Sequence, residues 1–261
     1  MKKLKLLMAS ALILSIAVTS CKKKTAAPVS TTPTAPTPPT PTIFNASADG
    51  VFAAIKLNFS YPNPAPVSIP GMPIPGIEIE SQLATAAATS DRSDWSNSLI
   101  DLGSVKVNTY PLKKQKNNSY FQMAMMGLTP ETLDLGSSVK WEASGISLDF
   151  TNTNAFPSYD IDNLPDEITR ANGITINHSV GETGARYGIM ILIVSGNKTI
   201  TKSITGSSSS TTITAAELNE LPASKNGFIE VCPYNVVYTT SSGKTYYFIK
   251  EYAAAKMIKV N

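Results

Sequence analysis

Few residues in this chain have the chemistry for catalysis or metal binding. It has one histidine, His178, and two cysteines, Cys21 and Cys232. A Ser–His–Asp or Cys–His triad would have to use His178. That residue sits in "GITINHS", in line with Ile174 and Ile176 on an alternating run. This is the position of a strand histidine at the rim of a core, and a triad needs convergent partners that the run does not supply. Cys232 continues the face of Phe228 and Glu230, opposite Ile229 and Val231. It reads as a partly exposed thiol, and no base stands beside it in sequence to make it reactive. One Cys and one His cannot supply the four ligands of a structural zinc site. A disulfide framework is excluded as well, because Cys232 has no partner once Cys21 is committed elsewhere. The expectation is no catalytic residue and no cofactor.

Three other groups of residues are candidates for binding. Asp160, Asp162, Asn163, Asp166 and Glu167 cluster in "YDIDNLPDE". Close-set oxygen ligands suit Ca²⁺, and the segment falls where two halves of the chain meet. The spacing departs from the helix–loop–helix calcium loop, and its glycine is missing. A solvated linker flanking Pro165 is therefore the expectation, with no metal; Asp160, Asp162 and Asp166 are the residues a metal would use. The segment 61–76, "YPNPAPVSIPGMPIPG", is proline-rich yet apolar through Val67, Ile69, Met72 and Ile74. Its preset backbone would lose little entropy on docking, which makes Ile69, Met72 and Ile74 the candidate binding residues; otherwise the segment covers a sheet edge of its own domain. Tyr234, Tyr238, Tyr246, Tyr247 and Tyr252 enrich the last third in rings that can stack on sugars, although tyrosine is also an ordinary strand residue.

The N-terminus carries the clearest signal. Lys2, Lys3 and Lys5 precede a mostly apolar run from Leu6 to Ser20, the layout of a secretory signal and short for a membrane-spanning helix. The run ends in Val18-Thr19-Ser20-Cys21, followed by Lys22, Lys23 and Lys24. This stretch resembles the lipobox of bacterial lipoproteins, and "SCKK" is similar to the start of many from Bacteroidota. The resemblance implies a diacylglycerol thioether on Cys21, cleavage before it, and acylation of the new amine. Each buried CH₂ of such chains contributes about 0.8 kcal/mol, so several chains hold firmly. The lysines would add about 1 kcal/mol each against anionic lipid. The resemblance also implies the outer membrane of the cell envelope, reached through this lipid anchor.

Charge follows the same division. The chain has 22 Lys+Arg and 19 Asp+Glu. Residues 1–20 hold three of the lysines and no acid, so the remainder balances at 19 of each. The basic character belongs to the targeting segment. A nucleic-acid partner is not expected, since no basic patch is apparent in the folded part.

The elements that must position these residues are strands. Residues 25–42, "TAAPVSTTPTAPTPPTPT", have no apolar periodicity and favour extended polyproline II. From Ile43 onward, period-2 runs recur between Gly, Asn, Ser and Pro. "GVFAAIKLNFSY", "SVKWEASG", "ISLDF", "RYGIMILIVSG" and "KTYYFIKEY" are among them, and they predict antiparallel sandwiches. "GSVKVNTY" and "NNSYFQMAMM", separated by a polar turn at 116–119, predict a hairpin. Thr214 and Glu217 have capping-box spacing ahead of Leu218 and Leu221, which predicts one short helix over 215–221. "GITINHS", the long apolar strand, "TTITAAELNELP" and "GFIEVCPYNVV" resemble the B, C, E and F strands of a fibronectin type III-like, immunoglobulin-like domain.

The expected organisation is a signal peptide over 1–20, a lipid-anchored Lys/Pro/Thr-rich linker over 21–42, and two antiparallel β-sandwich domains, 43–156 and 157–261. The expected fold class is all-β. The expected function is a non-enzymatic binding or structural module of the envelope, with a protein or glycan ligand. A glycan-binding accessory in polysaccharide capture is the alternative.

Overall fold

The structure is a computed structural model that describes residues 48–61, 77–95, 97–125, 133–178, 187–205 and 208–261. Cys21, the linker, and Ile69, Met72 and Ile74 lie outside the described residues. The fold is all-β, as the period-2 runs predict.

The strands are β1 (Gly50–Tyr61), β2 (Ile77–Ala88), β3 (Val105–Val107), β4 (Tyr110–Pro111), β5 (Lys113–Lys114), β6 (Tyr120–Met125), β7 (Val139–Ala143) and β8 (Leu148–Asn152) in the first half. The second half holds β9 (Glu167–Ile168), β10 (Ile174–Asn177), β11 (Tyr187–Ser195), β12 (Lys198–Thr205), β13 (Ser210–Ile213), β14 (Ser224–Ser241) and β15 (Lys244–Val260). One helical turn, α1 (Ala215–Leu218), lies between β13 and β14.

One nine-stranded sheet runs through both halves, in the order β12-β11-β14-β15-β1-β2-β6-β5, with β9 also paired to β15. Its spine is the long β14–β15 hairpin. Ser242 and Gly243 close that hairpin, both at positive φ, as a tight two-residue turn requires. β1 joins β15 in parallel along eleven positions, from Gly50↔Tyr246 to Ser60↔Lys256. The boundary expected at residue 157 therefore does not interrupt the sheet.

Two smaller layers pack on the same face of this sheet, called here the front. A four-stranded sheet, β4-β3-β7-β8, covers the end formed by β1, β2, β6 and the start of β15. Its core centres on Trp141 and Phe52, whose rings meet edge to face at 5.4 Å. Phe248 of β15 stacks between Phe52 and Phe150. A two-stranded sheet, β10-β13, with α1, covers the other end, where Ile176, Ile213, Leu218 and Leu221 pack on Ile191, Ile229, Ala254 and Ile258. The result is two sandwich layers sharing one large sheet.

Two expectations change in detail. The polar turn at 116–119 does form a hairpin, closed by the Gln115 N–H donating to Ser119 O at 2.7 Å. Its N-terminal strand is β5 at 113–114, whereas 105–107 crosses into the smaller sheet and pairs with β4 and β7. Pro111 and Leu112 intervene, and proline cannot continue a ladder through the bend. The expected helix over 215–221 is regular only through Leu218, and turns carry the chain to Leu221. Its capping box is complete: Thr214 Oγ1 accepts from Glu217 N, and Glu217 Oε2 accepts from Thr214 N at 2.9 Å.

Candidate functional site

The back face of the large sheet brings together titratable residues that the linear sequence keeps apart. Along β14, Phe228, Glu230, Cys232, Tyr234 and Val236 alternate onto this face. Along β15, Ile249, Glu251, Ala253 and Ala255 do the same. The register sets Glu230 opposite Ala255 and Tyr234 opposite Glu251, so Cys232 lies midway between the two glutamates. Both carboxyls and the thiol are buried, Glu230 and Cys232 completely. The Cys232 thiol stands beside Glu230 and is able to donate to its oxygens; among the described residues these have no nitrogen or oxygen partner, and the Tyr234 hydroxyl has none either. The Tyr234 ring lies over Gly188 of β11, where a side chain would collide with it.

Burial sets the electrostatics. Loss of water penalises the charged form and pushes Glu230 up to about 7 and Glu251 up to about 8, the latter also raised by the charge of Glu230. Burial and the two neighbouring carboxyls push the Cys232 thiol well above its ordinary range. The expectation of a partly exposed thiol at Cys232 is corrected: β11 and β15 flank it and its side chain is inaccessible. Such a thiol stays protonated and is a poor nucleophile.

A second polar group lies at the front, between the two cores. Lys250 is buried there, and its Nζ donates to Ser137 O at 2.6 Å and to Asn154 O. Asn235, its cross-strand neighbour, donates to Ala155 O at 2.7 Å. The Phe156 ring lies between Lys56 and Lys250, 4.5 and 5.0 Å from their ammonium groups. These contacts fasten the strap that leads from the first layer to the second. Burial, and secondarily Lys56, lower Lys250 to about 8.

The residues singled out from the sequence are dispersed. His178 is 3 % exposed at the end of β10, with Nε2 2.7 Å from Thr211 Oγ1 and Nδ1 without a partner. Burial depresses its pKa. Asp160 accepts from its own turn at Asp162 N, 3.0 Å away, and Asp166 pairs with Lys256 at 2.6 Å. Among the described residues no three His, Cys, Asp or Glu converge as a metal site would require. Of the five tyrosines, Tyr234 and Tyr246 are core residues, Tyr247 and Tyr252 are half-buried, and Tyr238 is 57 % exposed.

Comparison with known proteins assigns no family: no protein-family model matches the chain, and no curated protein matches it in sequence.

The sequence missed the Glu230–Cys232–Glu251 row. The signal was there for Glu230 in "IEVCPY", an acid on an apolar phase whose opposite phase, Ile229, Val231 and Pro233, is also apolar. A carboxyl so placed has no solvent-facing side to turn to. In "IKEY" the opposite phase carries Lys250, which masks the burial of Glu251.

Proposed function

We propose that the chain is a lipid-anchored protein of the cell envelope whose β-built body is a non-enzymatic binding or structural module. The observation that carries the second part is the use made of His178 and Cys232. Both are buried and held by packing, the imidazole against Thr211 and the thiol in its protonated form between two carboxyls. The side chains suited to nucleophilic work serve the core instead. The anchor rests on Val18-Thr19-Ser20-Cys21 and the lysines behind it. The fibronectin type III-like reading of the second half is supported by its pairing. β10 pairs β13, and β12, β11, β14 and β15 lie side by side, as strands B and E and strands C, F and G do in sandwiches of that architecture.

Membrane fractionation tests the anchor. Wild-type chain is expected in the membrane fraction and Cys21→Ala in the soluble fraction; equal membrane retention of the two would overturn lipidation. The glycan-binding alternative draws on Tyr238, with Tyr247 6.2 Å away at the same end of the long hairpin. It requires retardation in a native gel containing soluble polysaccharide, reduced by Tyr238→Ala. Unaltered mobility of the wild type would remove it.

A further inference from the structure

On the back face no cation stands beside Glu230 or Glu251 among the described residues: Lys259, at the far end of β15, pairs with Glu167 of β9, and Lys113 lies opposite Phe121 on the edge strand β5. β11 contributes Gly188, Met190, Leu192 and Val194; β1 contributes Ala53, Ile55, Leu57 and Phe59. β2 presents Ile79, Ser81, Leu83 and Thr85 and β6 presents Phe121 and Met123, all without charge. The edge strand β12 adds Thr199, Thr201 and Ser203. The other titratable groups on this face are Cys232, Tyr234, Tyr61, Tyr238 and Tyr247, with the Lys259–Glu167 pair and Lys113 at its margins. Lys56 of β1 and Lys244, Lys250 and Lys256 of β15 occupy the opposite phase and face the front.

We propose that Glu230, Cys232 and Glu251 form a proton-dependent lock on the β14–β15 hairpin: it is closed while the carboxyls hold their protons, and it is driven open on the back face when they ionise. Among the described residues no cation faces an ionised carboxylate here, burial withholds most of its hydration, and the second charge is repelled by the first. The protonated forms fit surroundings that are uncharged and mostly apolar, with Ala253, Ala255, Met190 and Leu192 beside them.

The direction with pH follows from the raised pKa values. The unfolded chain loses these protons near 4.5, whereas the folded chain keeps them to about 7 and about 8. The stabilisation is thus complete below 4.5 and is lost as pH rises through the folded values. Other buried bases act outside the critical window. His178 is depressed from 6.5, so it stays neutral above that pH. Lys250 is lowered from 10.5 to about 8, so its contribution is present above 10.5 and is lost as pH falls through about 8. Between pH 6.5 and about 8 the carboxyl pair governs the slope.

The test is urea unfolding of the full mature chain across that window. The wild-type folding constant is expected to fall by roughly tenfold per pH unit for each proton held. In Glu230→Gln/Glu251→Gln the fall should vanish. A flat wild-type profile, or an equal slope in the double variant, overturns the proposal. Should the variant not fold, the wild type decides alone. The native rate of Cys232 labelling by a pyridyl disulfide, divided by the rate in urea and located by peptide mass spectrometry, should rise across the same window. A constant ratio overturns the lock.

Discussion

Gly188 shows how closely a single position is constrained. It pairs with Tyr234, whose ring occupies the space above it, and a methyl group there would also stand 2.9 Å from Ile204 O. The ring is itself in the core and has little room to yield. Gly188→Ala is therefore expected to destabilise the fold by about 1–3 kcal/mol, the usual range for overpacking. The cause is testable by a double-mutant cycle in chemical denaturation. With Tyr234→Ala in the background the added methyl should cost far less, because the ring it strikes is gone; strictly additive losses would show that the strain lies in the backbone. Nothing in "ARYGIMILIVSG" distinguishes this glycine from one that ends a loop, since its constraint comes from a residue 46 positions away in sequence. The same holds for Lys250. From "FIKEY" it reads as the solvent-facing member of an alternating strand. Its burial arises because a strap from residues 154–156 crosses that spot.

Elements were more legible than residues because their signals are local. The Thr214–Glu217 box needs only four consecutive residues, and it forms as the spacing predicts. β7 and β8 likewise follow from "SVKWEASG" and "ISLDF", with a single 3-10 turn at Ser144–Ile146 between them. Partner choice was less legible. Side-chain alternation is the same whether a strand pairs parallel or antiparallel, so "GVFAAIKLNFSY" gave no sign that β1 would lie parallel to β15. The hairpin assigned to 105–107 and 120–125 failed for the same reason: a turn fixes which residues are adjacent in the bend, and Pro111 redirects the chain just before it. The candidate site inherits this limit. Glu230 and Glu251 flank one thiol only once the register of β14 and β15 is fixed, and that register depends on the turn at Ser242–Gly243, not on either glutamate.

At the scale of the whole molecule, the shared sheet makes the two halves mutually dependent. The first core includes Tyr246 and Phe248 from β15, and Phe248 stacks against both Phe52 and Phe150. The second half would present the edge of β15 without the eleven positions that β1 occupies. An exposed strand of that length, flanked by apolar residues on both faces, invites pairing with other chains. Fragments 43–156 and 157–261 expressed separately are therefore expected to lack a cooperative thermal transition, the second also associating with itself. Mixing the two should recover one shared transition, detected by circular dichroism, since the β1–β15 ladder and the Phe52–Phe248 stack can form between chains. A sharp, concentration-independent transition in either fragment alone would show that the halves are autonomous and that the parallel ladder merely joins them. The outcome also bears on the proton lock. If the halves fold as one unit, opening the back face at Glu230 and Glu251 loosens the strand on which the first core is built, and the pH response should appear in the near-ultraviolet signal of Trp141 as well as at Cys232.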